Sequence, residues 1–211
     1  MTSAAIHLEI LPEAQRDVLL RVGPIAAELG FYLAGGTAVA LRLGHRVSVD
    51  LDWFTEVEVE PLELAALLRA RLPGLAVDET GRGMLGGALD GVRLTFLRYR
   101  YPLLAPLAEL GAFRIASMDD LVCMKLAAAA QRGEKKDLYD IVAICGSARG
   151  LEDALALYRR KFGLAGSGHV LMSLAFFDDA EAAPDPIALG ALTWPEVKRA
   201  LADWVRELSR P

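Results

Sequence analysis

The chain has 211 residues, 54% hydrophobic and 24% charged, with a formal net charge of −5. That balance excludes a disordered or fibrous protein, supplies a real core for one large domain or two small ones, and argues against coating nucleic acid through bulk positive charge. The two cysteines, Cys123 and Cys145, fall in apolar helical patterns and read as buried thiols of a reducing compartment rather than a thiolate metal site. No signal-like start and no run of about 18 apolar residues is visible, so the expectation is a cytoplasmic protein without a membrane span.

Residues 11–29 are amphipathic and read as one helix, or as two broken near Gly23-Pro24, leading into a short apolar strand at 31–34. Ala34-Gly35-Gly36-Thr37 follows. Two glycines let the backbone turn sharply and come close to a ligand. The free N–H groups and positive dipole end of a helix over 37–43 attract phosphate, with the Thr37 hydroxyl placed to cap that helix or touch an oxygen. Gly44 is placed to close the helix. Residues 49–54 read as a second strand, on which Asp50 and Asp52 share one face while Leu51 and Trp53 occupy the buried one. Carboxylates roughly 6–7 Å apart repel unless a cation lies between them, and Mg²⁺ takes such oxygens together with substrate phosphates. A Gly-Gly turn or an Asp-x-Asp strand alone is common in ordinary loops and on solvated edges. Together they point to nucleotidyl transfer.

Farther along, residues 62–72 form a helix with Pro61 near its start and Pro73-Gly74 as its stop. Residues 84–89 and 92–99, separated by Asp90-Gly91, read as a hairpin with a tight turn. From Ser117 onward the pattern is helical. Ser117-x-x-Asp120 resembles a capping box opening a helix through Ala130, closed near Gly133, and helices at 137–145, 151–162, 170–177 and 194–208 follow, the last opened by Thr193-x-x-Glu196. The expected fold class is α+β, a mixed sheet flanked by helices followed by a helical C-terminal half. The division falls at 106–113, giving a catalytic domain at 1–110 and a helical domain at 111–211 that completes its cleft. Two segments are locally basic, Arg93 to Tyr101 and Lys125 to Lys136, and on composition each is as compatible with a solvated face as with a polyanion site.

In the helical half, Asp137 and Asp140 stand three apart on one face of a helix start, and Lys125 lies one helix earlier. A lysine neutralises developing phosphate charge and a carboxylate accepts a hydroxyl proton; the plainer roles are a helix-start acid and a solvated charge run. His45 reads as a loop or packing residue without an identifiable partner, Arg46 as a phosphate or structural arginine, and Ser48 as a turn cap.

Gly35-Gly36-Thr37, His45-Arg46-x-Ser48-x-Asp50-x-Asp52, Arg98-Tyr99, Tyr101-Pro102, Lys125 and Arg132-Gly133-Glu134-Lys135-Lys136-Asp137-x-x-Asp140 together resemble the AbiEii/AbiGii toxin family of nucleotidyltransferase-like proteins. Phe176-Phe177-Asp178-Asp179-Ala180 and Trp194-x-Glu196-Val197 extend the resemblance over most of the chain. It implies a nucleotidyltransferase-like fold and a toxin encoded with an antitoxin, often of winged-helix type. The implied activity uses a nucleoside triphosphate and Mg²⁺, with the 3′ end of tRNA as the acceptor in characterised relatives. Carried over, Gly35, Gly36, Thr37, Arg46 and Lys136 would bind the nucleotide, Asp50 and Asp52 the Mg²⁺, and Lys125 the phosphates, with Asp137 as a catalytic or positioning carboxylate. Many nucleotidyltransferases carry a third acid on a later strand, where this chain offers only Thr95. That departure keeps open a non-catalytic nucleotide-binding module, alongside transfer to a protein or small hydroxyl compound.

Overall fold

The computed structural model describes residues 6–147 and 150–210. After a single 3-10 turn at Leu8–Ile10, α1 (Glu13–Glu28) leads into β1 (Tyr32–Ala34), α2 (Gly35–Leu43), β2 (Leu51–Thr55) and α3 (Pro61–Arg71). Three strands follow, β3 (Ala76–Gly81), β4 (Met84–Leu89) and β5 (Val92–Arg98), then the short β6 (Ala108–Leu110) and β7 (Phe113–Ile115). The rest is helical: α4 (Met118–Arg132), α5 (Lys135–Ser147), α6 (Leu151–Phe162), α7 (Gly168–Leu174), α8 (Asp178–Glu181) and α9 (Trp194–Leu208). The strands form one mixed sheet in the order β3-β4-β5-β2-β1-β7-β6. β1 runs antiparallel to β2 and parallel to β7, and β2 runs parallel to β5.

The residues explain the elements. β1 and β2 are almost wholly buried, with Leu33, Leu51 and Trp53 inaccessible, and Trp53 stacks on Phe96 of β5 at 6.3 Å between ring centroids. Asp90 and Gly91 both take positive φ, 50° and 79°, which makes the β4–β5 connection the tight hairpin turn that Asp-Gly favours. Gly44 closes α2 and Gly133 closes α4 in the left-handed conformation. Thr193 and Glu196 complete a capping box at α9.

Several expectations change. Of the two alternatives for residues 11–29, the single helix is the one that forms, as α1. Pro24 lacks the N–H that would bond the Leu20 carbonyl, but Leu20 lies on the exposed side of the helix, where water can replace that bond. Gly23 is small for packing: a Cβ there would lie 2.9 Å from the Ala112 carbonyl oxygen. The acid-bearing strand begins at Leu51, so Asp50 stands just before it. β3 lies at the sheet edge with most residues exposed, which hid it from any apolar alternation. β6 and β7, three residues each, are too short for periodicity to reveal. The single helix expected at 170–177 is instead α7 and the separate α8.

One buried cluster runs from the sheet, through Leu33, Leu94 and Phe96, into Leu121, Leu126, Leu138 and Ile141 of α4 and α5. A buried ion pair ties α4 to α6, with Lys161 Nζ 2.7 Å from Asp120 Oδ1. Asp120 also keeps to the start of α4, where its Oδ2 accepts from the Ser117 hydroxyl at 2.6 Å. Ser117 accepts from the Asp120 N–H at 3.0 Å, while the Asp120 carboxylate also takes the Leu104 N–H at 2.9 Å. Cys123 and Cys145 are both buried and not disulfide-bonded. Among the described residues no helix is long and apolar enough to cross a membrane.

Candidate active site

A cleft of about 460 Å³ opens where α2, β2, β5 and α4 meet. Its polar and glycine lining includes Gly35, Gly36, Arg46, Ser48, Asp50, Asp52, Lys125, Arg132 and Lys136, and its less polar lining includes Phe54, Leu97, Tyr99, Met124 and Ala127. Of the residues expected from sequence to act together, the fold brings all but Thr37 and Asp137 to the cleft wall.

The glycine turn is required by packing as much as by any ligand. Gly35 has φ 68°, and a Cβ on it would lie 2.5 Å from Asp52 Oδ2. A Cβ on Gly36 would lie 2.6 Å from Arg46 Nη2 and 3.1 Å from Ser48 Oγ. The acid and the guanidinium press against the turn, and only glycine leaves them room. The N-cap residue of α2, Ala34, supplies no side-chain cap, and the first two residues of the helix, Gly35 and Gly36, line the cleft. Thr37 does not serve there. It is buried, and its hydroxyl contacts Ser48 Oγ at 3.0 Å and the Asp50 carbonyl oxygen, so it pins the backbone that carries Asp50 rather than facing a nucleotide.

Asp50 and Asp52 have no ion-pair partner among the described residues. Burial raises Asp52 above the usual carboxylate range and the nearby Asp50 charge raises it further; Lys125 and the Thr95 hydroxyl pull it back without cancelling the shift. Thr95 is the register partner of Asp52 across the parallel β2–β5 pair. Among the described residues no group of three or more His, Cys, Asp or Glu side chains is placed to hold a metal ion. Two acids with an unrelieved repulsion, beside an open helix start, nevertheless suit a divalent cation whose other ligands are phosphate oxygens and water.

Behind the cleft lies a buried network of charges. Lys125 Nζ is 2.8 Å from Asp137 Oδ1 and 2.7 Å from Asp140 Oδ2. Arg132 donates to Asp137 through Nε at 2.8 Å, and Arg46 grips Asp140 through Nε and Nη2 at 2.6 and 2.8 Å. His45 Nε2, for which no partner was expected, also meets Asp140 Oδ1, at 2.8 Å. Burial alone would lower Lys125 and raise both acids; their mutual charges outweigh it, leaving Lys125 above and Asp137 and Asp140 below their ordinary values. Asp137 is fully buried beneath Lys125 and Arg132 and does not line the cleft. Arg46 likewise spends three donors on Asp140 and the Val47 carbonyl, so it is foremost the brace between the α2–β2 loop and α5. Arg132, Gln131 and Tyr99 line the cleft without having stood out in the sequence as site residues. Arg132 was legible in principle, five residues before Asp137 and just ahead of a helix-ending glycine.

A family model described as nucleotidyl transferase AbiEii toxin, type IV toxin–antitoxin system, matches residues 18–102 and 91–208. Protein aq_aa25 of Aquifex aeolicus is 36% identical over 176 residues, covering 81% of this chain and 84% of its own. Among solved structures, MenT4, a nucleotidyltransferase toxin of Mycobacterium tuberculosis, shares the fold with a TM-score of 0.63 at 16% identity, over 94% of this chain and 87% of that one. JHP933 of Helicobacter pylori does so with a TM-score of 0.52 at 15% identity, over 93% and 89%. The extent of the family match and the cleft it encloses lead to one conclusion: the chain belongs to the AbiEii toxin family of type IV toxin–antitoxin systems and is a nucleotidyltransferase.

Proposed function

We propose that the protein transfers a nucleotide from a nucleoside triphosphate to a hydroxyl of RNA, the 3′ end of tRNA in particular, with Mg²⁺ held by Asp50 and Asp52. The acceptor hydroxyl oxygen bonds to the α-phosphorus, the bond from that phosphorus to the bridging oxygen breaks, pyrophosphate leaves and the hydroxyl proton passes to solvent. The observation that carries this reading is convergence: the open start of α2, the two unpaired acids and the cations of Lys125, Arg132 and Lys136 surround one cleft. When bound, the metal would neutralise phosphate charge between the acids.

The chain's own residues have separable tasks in this reading. The N–H groups at Gly35 and Gly36 receive phosphate oxygens. Lys125 carries three donors, of which Asp137 and Asp140 occupy two, leaving the third for phosphate. Asp137 acts through Lys125 and Arg132 as a positioning residue. Phe54, Leu97, Tyr99 and Met124 offer an apolar wall for the nucleoside. A cognate antitoxin, of winged-helix type where the operon encodes one, restrains the toxin in the cytoplasm.

Incubating the protein with each labelled triphosphate, Mg²⁺ and total cell RNA tests the assignment. A label that enters tRNA-sized RNA and depends on Mg²⁺ is expected. Label found only on protein or on small hydroxyl compounds would move the acceptor elsewhere, and no label with any triphosphate would remove the reading.

A further inference from the structure

Nucleotidyl transfer joins two substrates at one phosphorus, so the acceptor has to reach the same acids as the triphosphate. A second groove of about 360 Å³ lies across Asp50 from the cleft and shares Arg46, Ser48, Asp50 and Lys136 with it. We propose that this groove seats the 3′-terminal nucleoside of the RNA acceptor, with its ribose hydroxyl directed at Asp50. The proposal rests on the RNA reading above and adds where that strand binds.

The groove is built rather than incidental. Its outer wall, residues 183–189, is tied to the loop before β2. Val47 N–H donates to the Ile187 carbonyl at 2.8 Å and Leu189 N–H to the His45 carbonyl at 2.9 Å, while Lys135 Nζ meets Asp185 at 2.8 Å. Despite this anchoring, Val49 and Ile187 remain 60% and 68% exposed and line the groove together with Pro184 and Pro186. An exposed apolar lining of this kind suits the face of an unpaired base. Among the described residues Lys136 is held only by an exposed pair with Glu134 at 3.0 Å, the kind of surface contact worth least, so its ammonium can exchange to a phosphodiester. Of the described cations on this lining, Lys135 is paired with Asp185 and Arg46 with Asp140, so Lys136 is the one left to meet a phosphodiester. A third groove, of about 310 Å³, carries the exposed Met172 and Phe176 but shares only Gln131 and Arg132 with the cleft, and neither Asp50 nor Asp52 lines it. An acceptor there would not meet the acids.

The test measures acceptor KM, triphosphate KM and calorimetric triphosphate affinity for Ile187→Glu, Val49→Glu and Met172→Glu with labelled triphosphate and total small RNA. A carboxylate in the proposed groove should raise the acceptor KM about tenfold or more while triphosphate affinity stays within twofold, and Met172→Glu should leave both unchanged. If a Glu variant loses its folded spectrum, Ile187→Ala and Val49→Ala replace it, with an expected rise of about threefold. Unchanged acceptor KM in both groove variants while wild type labels RNA overturns the groove and leaves the RNA reading intact. A rise in Met172→Glu instead likewise overturns it. Wild type that labels no RNA overturns the RNA reading and the groove together.

Discussion

Thr95 stands in register with Asp52 across the parallel β2–β5 pair, so a hydroxyl occupies the place from which a third carboxylate would face the metal. Among the described residues the two remaining acids have nothing of opposite charge paired to them, and burial and Asp50 raise Asp52. A raised carboxyl contributes stability below its unfolded value of about 3.9 and loses it as pH rises through the folded value. Without metal, the melting temperature should therefore fall as pH rises from the unfolded value toward neutrality. Asp52→Asn should flatten that fall and melt higher than wild type at pH 7. Mg²⁺ at about 100 times its Kd should stabilise wild type by about 2.7 kcal/mol, on the order of 5–10 °C, and Asp52→Asn should show no such rise. Transfer by the variant should drop on the order of 10³-fold. An Mg²⁺ response in Asp52→Asn equal to wild type would remove the metal assignment.

Thr95→Asp tests the same position in the opposite direction. A third carboxylate beside Asp52 adds repulsion in the metal-free fold and a ligand in the metal-bound one. The variant should melt lower than wild type in chelator and gain more from Mg²⁺. A thermal scan with equal shifts for the two proteins would mean that residue 95 does not face the cation.

Gly36→Val should lower triphosphate affinity at least tenfold, about 1.4 kcal/mol, because its side chain would displace Arg46 and Ser48 from the turn. Gly35→Ala should act differently, with its Cβ driven against Asp52 Oδ2 and its left-handed backbone costing about 1–2 kcal/mol. The Mg²⁺ response is then the measurement that suffers most. Calorimetry showing wild-type nucleotide binding by Gly36→Val would take the cradle out of the account.

Asp140→Ala should destabilise the fold by about 3–5 kcal/mol, since it leaves Lys125 and Arg46 buried with less opposing charge. For Asp137 and Asp140 the sign is the reverse of that for Asp52. Burial raises them, but the surrounding cations hold them lower overall, so their stabilisation is present above about pH 4 and disappears only as acid titrates them below it. Denaturant titration at pH 7 and in more acid buffer checks both claims, and a loss under about 1 kcal/mol at pH 7 would contradict the buried network.

Asp137→Asn should keep Mg²⁺ and triphosphate binding within a few fold yet cut kcat, because Lys125 and Arg132 lose the charge that aims them. Lys125→Arg should restore little, its planar fork fitting poorly between Asp137 and Asp140. A variant with full kcat and only a lower melting temperature would make Asp137 purely structural.

The sequence alone determined the local chemistry. Gly35-Gly36, the Asp50 and Asp52 spacing, the Asp90-Gly91 turn and the capping residues of α4 and α9 are short-range signals, set by backbone sterics and side-chain periodicity within a few residues. What tertiary structure decided is whatever depends on partners distant in the chain. Nothing near His45 or Arg46 announces that both will meet Asp140, 95 and 94 residues later. Thr37 read as a nucleotide contact until packing against Ser48 and the Asp50 backbone buried it. The strands β3, β6 and β7 draw their order from neighbours already in the sheet, not from an apolar rhythm of their own. Asp137 shows the limit most plainly: the residues alone left it open between a helix-start acid and a site carboxylate, and only the packing of α4 on α5 buries it beneath Lys125 and Arg132.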